Sequence, residues 1–465
     1  MLQTIINAFK IADLRKKLLF TGLILLIFRI GSAIPVPFLD SDTFGVLANT
    51  GLLGADQQNT FLGYLSMMTG DAFNYGTIFA MGITPYINSS IIMQLLTVAI
   101  PALERLQKEG EEGRKKIASI TRYVTVGLGL LQSTAYYFYV RSKGYLAVPV
   151  GELAGTGTTG FPGGWGVFQA FIIILCFTAG TALIMWLGEQ INDKGVGNGI
   201  SLILFAGIVA RLPQMITQLF STENGYLQYG GPYWFLSPLA AILYLLMIAY
   251  IVFMDSGERR IPVQYAKRVV GRKMYGGQST HIPIKVNMGG VMPIIFASSI
   301  LSLPPTIQMF VQSRIENNNF WKGFFEIFSQ THWVYGIFYF VLIIGFAYFY
   351  ASIQYNPIEM SNNIRKQSGT IPGIRPGDPT AQYIRRILSK LTLLGALMIS
   401  VVAIFPVLFS QLTTLFLTKV FDFAGGGFNI SLGGTSIIIL VGVALETVKQ
   451  LESQMMMRHY RGFLD

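Results

Sequence analysis

The chain alternates long apolar stretches with polar gaps, and the stretches are too long for the core elements of a soluble domain. Ten of them stand out, at about 18–34, 76–100, 119–140, 167–187, 199–218, 237–254, 291–312, 335–353, 390–411 and 435–451. Each approaches or exceeds the ~17 residues that a tilted helix needs to cross ~30 Å of hydrocarbon. An even number of spans puts both termini on one side of the membrane. Ahead of the first span, Leu2, Ile5, Ile6 and Phe9 recur at helical spacing and are followed by Arg15, Lys16 and Lys17, the pattern of an amphipathic helix lying on the membrane surface. The first span begins after that basic cluster and ends in Gly31-Ser32-Ala33, so it imitates a cleavable signal sequence; Arg29 near its end and the nine spans behind it favour an uncleaved anchor. Between the first two spans, residues 61–73 are apolar yet too short to cross, which predicts a re-entrant or interfacial segment. Irregular backbone at that depth is tolerated only when buried in protein or facing water, so either a cavity or a packed external loop is expected.

Charge then fixes the orientation. No Lys or Arg occurs between Ile34 and Tyr75, whereas the next gap holds Arg105, Lys108, Arg114, Lys115 and Lys116, and the alternation continues along the chain. Because basic residues hold a loop on the cytoplasmic side, both termini and the basic gaps are expected there. A hydrophobic content of 52%, a charged content of 12% and a mean hydropathy of +0.51 exclude an ordinary soluble protein. The net charge of +11 is mostly this topological signal and carries little weight as a sign of nucleic-acid binding. A single cysteine, Cys176, can form no disulfide within the chain.

Span 2 is unusually polar for a helix in lipid. Ile83, Ile87 and Ile91 fall four apart on one face, while Asn88, Ser89, Ser90 and Gln94 occupy others, so those must face protein, water or a passing substrate. Ordinary interhelical packing accounts for small polar residues equally well. Asn88-Ser89-Ser90 and Asn429-Ile-Ser431 match the glycosylation sequon, the first of them inside a span. Two basic gaps are long. Residues 255–290 carry Glu258, Arg259, Arg260, Lys267 and Arg268 among β-formers, as in a hairpin, and 354–389 carry a turn-rich stretch with Arg375 at its tip. Long loops in a compact protein are usually functional, and two basic ones on one face predict docking of an acidic or RNA-containing partner.

Catalytic chemistry is hard to find. His281, His332 and His459 lack metal-ligand spacing, there is no phosphate-binding loop, and Gly195-Val-Gly-Asn-Gly199 reads as a turn into span 5. Glu446 is nearly alone as a carboxylate within a span, which counts against an ion-coupled transporter. A small-solute transporter and a membrane-embedded hydrolase remain the competing classes; the second lacks an evident nucleophile and base.

Six ordered motifs run along the chain: Gly82-Ile-Thr-Pro-Tyr-Ile-Asn-Ser-Ser-Ile-Ile-Met-Gln-Leu-Leu96, Trp186-Leu-Gly-Glu-Gln190, Gly197-Asn-Gly-Ile-Ser201, Lys285-Val-Asn-Met-Gly-Gly-Val-Met-Pro293, Pro372-Gly-Ile-Arg-Pro-Gly377 and Gly433-Gly-Thr-Ser436. They resemble those of the SecY family of bacterial protein-conducting channels, over essentially the whole chain. The resemblance implies an all-α polytopic fold of ten transmembrane helices, in two inverted pseudo-symmetric halves, 1–222 and 223–465, around a central pore. It implies a pore ring of Ile83, Ile87, Leu204, Ile295 and Ile439 with Ile91 nearby, where Leu204 stands in place of the commoner isoleucine. Branched apolar side chains make a weakly hydrated constriction that resists ions yet flexes around an extended chain. The 61–73 segment would be a plug under the external mouth. A lateral gate between spans 2 and 3 on one side and 7 and 8 on the other would use Asn88, Ser89, Ser90, Gln132, Ser298 and Ser299, whose interhelical bonds are worth about 0.6 kcal/mol each. Arg259, Arg260, Lys267, Arg268 and Arg375 would dock a SecA motor or a ribosome. Small membrane subunits resembling SecE and SecG, signal sequences, unfolded preproteins and membrane lipids complete the implied partners, with a bacterial plasma-membrane location, no cofactor or metal, and no enzymatic activity.

Overall fold

A computed structural model describes residues 2–39, 69–142, 164–221, 233–265, 268–270, 273–275, 279–304, 319–327, 332–420 and 434–461, with isolated positions between them. Helix α1 (Leu2–Lys10) precedes α2 (Ala12–Gly31), which is span 1. In α2, Leu14, Thr21, Ile24 and Phe28 are buried and Leu19, Leu23, Leu26 and Ile30 are exposed, so one helical stripe faces protein and the other is apolar and outward, as lipid requires. On α1 it is Ala8 that is buried, beside Leu14, Val196 and Leu451, while Ile6 and Phe9 stay exposed.

Span 2 begins later than its hydropathy predicts. Residues 76–83 form turns, and helix α3 starts only at Thr84 and runs to Ala99. Two residues enforce this. Gly82 has φ +58°, where a Cβ would also strike the Thr69 side chain, and Pro85 occupies the first turn, where its missing N–H costs nothing. The non-helical backbone is satisfied by neighbours: Ile78 N donates to Ile34 O at 3.0 Å and Val36 N to Gly76 O at 3.1 Å. A bend of 100° then separates α3 from α4 (Pro101–Lys108).

The remaining helices are α5 (Glu111–Ser142), α6 (Gly164–Lys194), α7 (Gly199–Ala210), α8 (Leu212–Phe220), α9 (Tyr233–Ser256), α10 (Met292–Leu301), α11 (Asn319–Ile327), α12 (Trp333–Gln354), α13 (Pro357–Lys366), α14 (Asp378–Val420) and α15 (Gly434–Arg461). Among the described residues six segments are long and apolar enough to span, those of spans 4, 5, 6, 8, 9 and 10, and the bent pair α3–α4 makes a seventh. Span 1 misses that standard because Arg15, Lys16, Lys17 and Arg29 ride on its helix, and span 7 is described as the short helix Met292–Leu301.

Helices pack in a chain of neighbours: α3 on α5, α5 on α6, α6 on α7 and on α2, then α10 on α12, α12 on α14 and α14 on α15, with α9 against α14 and α15. These two groups meet along α7 and α15 on one flank, and through a much narrower contact of α3 with α10 on another. Lys449 Nζ to Asp255 Oδ2 at 3.0 Å ties α15 to α9, and Arg122 Nε to Glu189 Oε1 at 2.8 Å ties α5 to α6.

The long basic gaps are folded. Strand β1 (Glu258–Tyr265) pairs antiparallel with β4 (Ser279–Lys285), Glu258 opposite Lys285, and β2 (Arg268–Val270) pairs with β3 (Lys273–Tyr275) in a separate two-stranded sheet. Strand β5 (Gly369–Thr370) pairs with the other edge of β1. Alternation along β1 turns Ile261 and Val263 inward, onto Ile284, Ile364, Ile371, Ile384 and Leu388, a core separate from that of the spans.

Close helix packing gives a direct test. Gly180 on α6 lies against the carbonyl of Ile78, a residue whose N–H donates to Ile34 O. Gly180→Ala is expected to cost about 1–3 kcal/mol through overpacking. Gly22→Ala, where a Cβ meets open space, should be neutral or slightly stabilising. Melting curves in detergent read both.

Candidate functional site

Four helices contribute one apolar side chain or a row of them to a single buried cluster. Ile83 sits at the N-cap of α3, and Ile87 and Ile91 follow one turn apart. Leu204 comes from α7, Ile295 from α10 and Ile439 from α15, and all six are buried. Each helix is started so as to aim its residue inward. Asn198 caps α7, its Oδ1 accepting from Ile200 N at 3.2 Å and Ser201 N at 3.5 Å, while Asn192 Oδ1 accepts from Gly199 N at 2.8 Å. The glycine-rich Gly195–Gly199 stretch is therefore the cap of span 5. Pro293 plays the corresponding part in the first turn of α10.

Against this cluster lies a cavity of about 50 Å³ lined by Ile87, Ser90, Ile91, Leu204, Ile295 and Phe296, among others. That volume admits a few water molecules at most. A second cavity of about 650 Å³ is bordered by Arg29, Ser32, Pro35, Asp71, Thr77 and Gln214. It lies at the end of the molecule where span 1 terminates.

The six polar residues of spans 2, 3 and 7 are distributed unevenly. Ser90 opens onto the small cavity. Ser89 is buried with its hydroxyl donating to Pro85 O of its own helix at 2.8 Å, and Ser298 donates to Ile295 O at 2.9 Å. Ser299 is half-buried and its carbonyl accepts from Ser302 Oγ at 2.6 Å. Gln132 is half-buried on α5. Asn88 is different: its Oδ1 is buried with no hydrogen-bond partner, as is Thr84 Oγ1 one turn earlier on the same face. Unpaired buried acceptors cost about 1–3 kcal/mol each, and α3 carries two of them.

At the folded basic region, Arg259 and Arg260 are both exposed on β1, but Arg260 is held by Glu258 through two hydrogen bonds of 2.8 and 2.6 Å. Arg268 opens β2, and Lys267 lies outside the described residues. Arg375 is exposed, and among the described residues its side chain has no ion-pair partner. Of the 61–73 segment, only Ser66 and 69–73 are described, and the Asn429 sequon falls outside. Among the described residues no His, Cys, Asp and Glu group could hold a metal.

Sequence reasoning passed over one pair. Arg211, between α7 and α8, binds Asp71 at 3.1 Å with both side chains largely shielded. A lone Arg inside an apolar span was the signal available, since such a charge needs a carboxylate brought from elsewhere.

Several long apolar helices packed on a common buried apolar core define a multi-pass helical membrane protein. A profile of the family described as SecY matches residues 77–448. Protein translocase subunit SecY of Streptomyces galbus is 42% identical over 469 residues, and that of Halalkalibacterium halodurans 44% over 472, each alignment covering both chains entirely. A solved structure described as a protein conducting channel aligns over 94% of this chain and 92% of its own, with TM-score 0.58 and 18% identity. Sec61 in the canine ribosome-channel complex from the endoplasmic reticulum aligns with TM-score 0.53 and 16% identity, over 94% and 92% of the two chains. The chain belongs to the SecY family, and it is the pore-forming subunit of a protein translocation channel.

Proposed function

We propose that the buried cluster of Ile83, Ile87, Ile91, Leu204, Ile295 and Ile439 is the seal through which unfolded secretory polypeptides pass, and that apolar segments leave sideways between α3 and α10. The observation that carries this reading is a cavity of about 50 Å³ lined by Ile87 and Ile91 of α3, Leu204 of α7 and Ile295 of α10, beside a narrow helix–helix contact, with Ile83 and Ile439 in the same buried core. An extended chain would part the ring by displacing branched side chains, with little loss because no strong polar bond crosses it. The halves 1–222 and 223–465 would hinge about the α7–α15 flank.

In this reading the protein sits in the plasma membrane with both termini cytoplasmic, does no catalysis, and draws its energy from a partner. The folded basic region, where Arg259 and Arg375 have no ion-pair partner among the described residues, suits a SecA-like motor or a ribosome; Sec61 and Ssh1 channels are described in complex with ribosomes. The apolar outward helix faces leave room for SecE-like and SecG-like subunits and lipid.

The exit is tested by cysteines at Ser90 and Ser298. An oxidised pair should form in the resting channel and block export of a secretory precursor, with reduction restoring it. Full export through a fully crosslinked pair would place the exit elsewhere.

A further inference from the structure

Helix α11 (Asn319–Ile327) stands between two spans and belongs to neither. Its sequence, Asn-Phe-Trp-Lys-Gly-Phe-Phe-Glu-Ile, is dominated by aromatic residues. At 3.6 residues per turn, Phe320, Trp321, Phe324, Phe325 and Ile327 fall within an arc of about 160°, and positions 319, 322, 323 and 326 take the remainder. Nine residues rise about 14 Å, less than half of the ~30 Å hydrocarbon thickness, so α11 cannot cross a membrane. Nor is it part of the protein interior. Phe325 is buried, but Phe320 is 73% exposed, and Trp321, Phe324 and Ile327 are exposed beside it. The rings stack on one another, with centroids 5.4 Å apart for Phe324 and Phe325, 5.8 Å for Phe320 and Trp321, and 6.2 Å for Trp321 and Phe325. Among the described residues no spanning helix packs extensively on α11.

Two observations say what covers this face. The first is continuity. The next helix, α12, starts at Trp333, which is 67% exposed, and Ile337, Phe338 and Val341 continue its outward apolar stripe. That stripe belongs to a span and therefore faces lipid, and a Trp at its end marks the headgroup level. The chain from Ile327 to Trp333 reaches at most about 20 Å, which keeps α11 near that level. The second is charge. One Lys and one Glu leave α11 without net charge, whereas α1 ends in Lys10 and leads to Arg15, Lys16 and Lys17. A surface that recruits an acidic partner needs the second kind of helix.

We propose that α11 is an interfacial anchor, lying along the membrane surface with its aromatic face among the acyl chains just beneath the headgroups. What covers the face is lipid, held by apolar insertion and not by headgroup charge. Rigid rings give large contact area for little lost freedom, and they tolerate the boundary between acyl chains and hydrated headgroups. A helix this short does not hold its shape in water alone, so insertion also stabilises it. Because α12 leads at its other end into α13 and β5, the anchor lies at the end of the bundle opposite the basic sheet. Helices α10 and α12, which flank α11 in the chain, pack on each other, so the anchor fixes the depth of that pair. It requires only that α12 stands in a bilayer, whatever the seal is made of.

The test uses the full chain with its membrane partners, carrying Cys176→Ala, in phosphatidylcholine vesicles with and without phosphatidylglycerol. Nitroxide labels are attached singly at Phe320→Cys, Phe324→Cys and Glu326→Cys. Their relaxation by oxygen, which concentrates in lipid, is compared with that by a water-soluble nickel chelate. Oxygen should exceed the chelate several-fold at the first two sites, the order should reverse at the third, and neither salt nor phosphatidylglycerol should change it. Chelate access at all three sites would place α11 in water, and low access of both reagents at the first two would place a protein or a second copy on the face. Oxygen dominance at all three would put the helix wholly within hydrocarbon. Each of these overturns the anchor, as does insertion that needs phosphatidylglycerol or vanishes in high salt. Should a label at Phe320 or Phe324 prevent reconstitution, Ile327→Cys lies on the same face and reads the same depth.

Discussion

Replacing Ile87 and Ile439 together with Asn raises the resting ion conductance of the reconstituted channel by roughly tenfold or more, the change expected when about 1.4 kcal/mol is taken from the barrier to ion passage. The two side chains come from α3 and α15 and belong to one buried cluster beside a cavity that holds only a few waters. An apolar constriction excludes ions because water leaves it readily, and an ion cannot enter without its water. Asn is smaller than Ile and its amide retains water, so both polarity and lost packing lower the barrier. The same variant should pass precursors with defective signal sequences, since less energy separates the closed state from the open one. Polarity has to be separated from loss of packing. Ile87→Val with Ile439→Val removes one methylene at each site, at about 0.5–1.5 kcal/mol of stability apiece, and keeps the ring apolar. That pair should remain sealed. Single-channel recording in planar bilayers decides the matter: an Asn pair as tight as the unsubstituted protein, or a Val pair as leaky as the Asn pair, would remove these residues from the seal.

Arg375→Glu abolishes motor-driven export while leaving the protein folded. The loop around Arg375 is pinned at its backbone: Thr380 Oγ1 donates to Arg375 O at 2.8 Å, Ser361 Oγ to Gly377 O at 2.8 Å, and Ile374 N to Ile371 O at 3.1 Å. Ile371 is buried in the core under β1 and β4, so the turn is anchored from within. Left-handed glycines, Gly373 at φ +81° and Gly377 at φ +107°, shape the turn on both sides of Arg375. The guanidinium is thus displayed on a stiff support with no ion pair among the described residues, and its planar fork can grip a carboxylate or phosphate with two parallel hydrogen bonds. Reversing its charge turns attraction into repulsion at the interface. It should change folding stability by no more than about 0.5 kcal/mol, as at other surface sites without partners. Export of a precursor by vesicles supplied with motor and ATP, beside a melting curve in detergent, reads both effects. Arg260→Glu is a useful contrast, because Glu258 already holds Arg260 and its loss should weaken export less. Normal export by the Arg375 variant, or lost export accompanied by a collapsed melting temperature, would take Arg375 out of the docking surface.

Much of the architecture was legible before any coordinate. Hydropathy located the spans because a helix in lipid must be apolar on its outward face for its full length, and the alternation of basic gaps carried the expected orientation because charge is costly to move across a membrane. The spacing of Ile83, Ile87 and Ile91 placed them on one face of span 2, and the β-formers of 255–290 announced the β1–β4 hairpin. Hydropathy misled at residues 76–83, which are apolar enough to be helix yet are turned by Gly82 and Pro85. Their backbone bonds go to the end of span 1, partners that no local window contains.

What the sequence determined by itself was the class of the protein: a multi-pass helical membrane protein, with apolar residues at the positions that its motifs share with SecY channels. Those properties depend on composition and on spacing within one helix, and both are local. Only the tertiary structure decided that Leu204, Ile295 and Ile439 share one buried core with the isoleucines of span 2, that Arg260 is neutralised by Glu258 while Arg375 has no ion-pair partner among the described residues, and that Arg211 is matched by Asp71. These are pairings between residues far apart in the chain or choices between equivalent neighbours. A carboxylate and a guanidinium separated by 140 positions attract only after the helices carrying them have packed, and the low dielectric that makes their pairing obligatory is itself created by that packing.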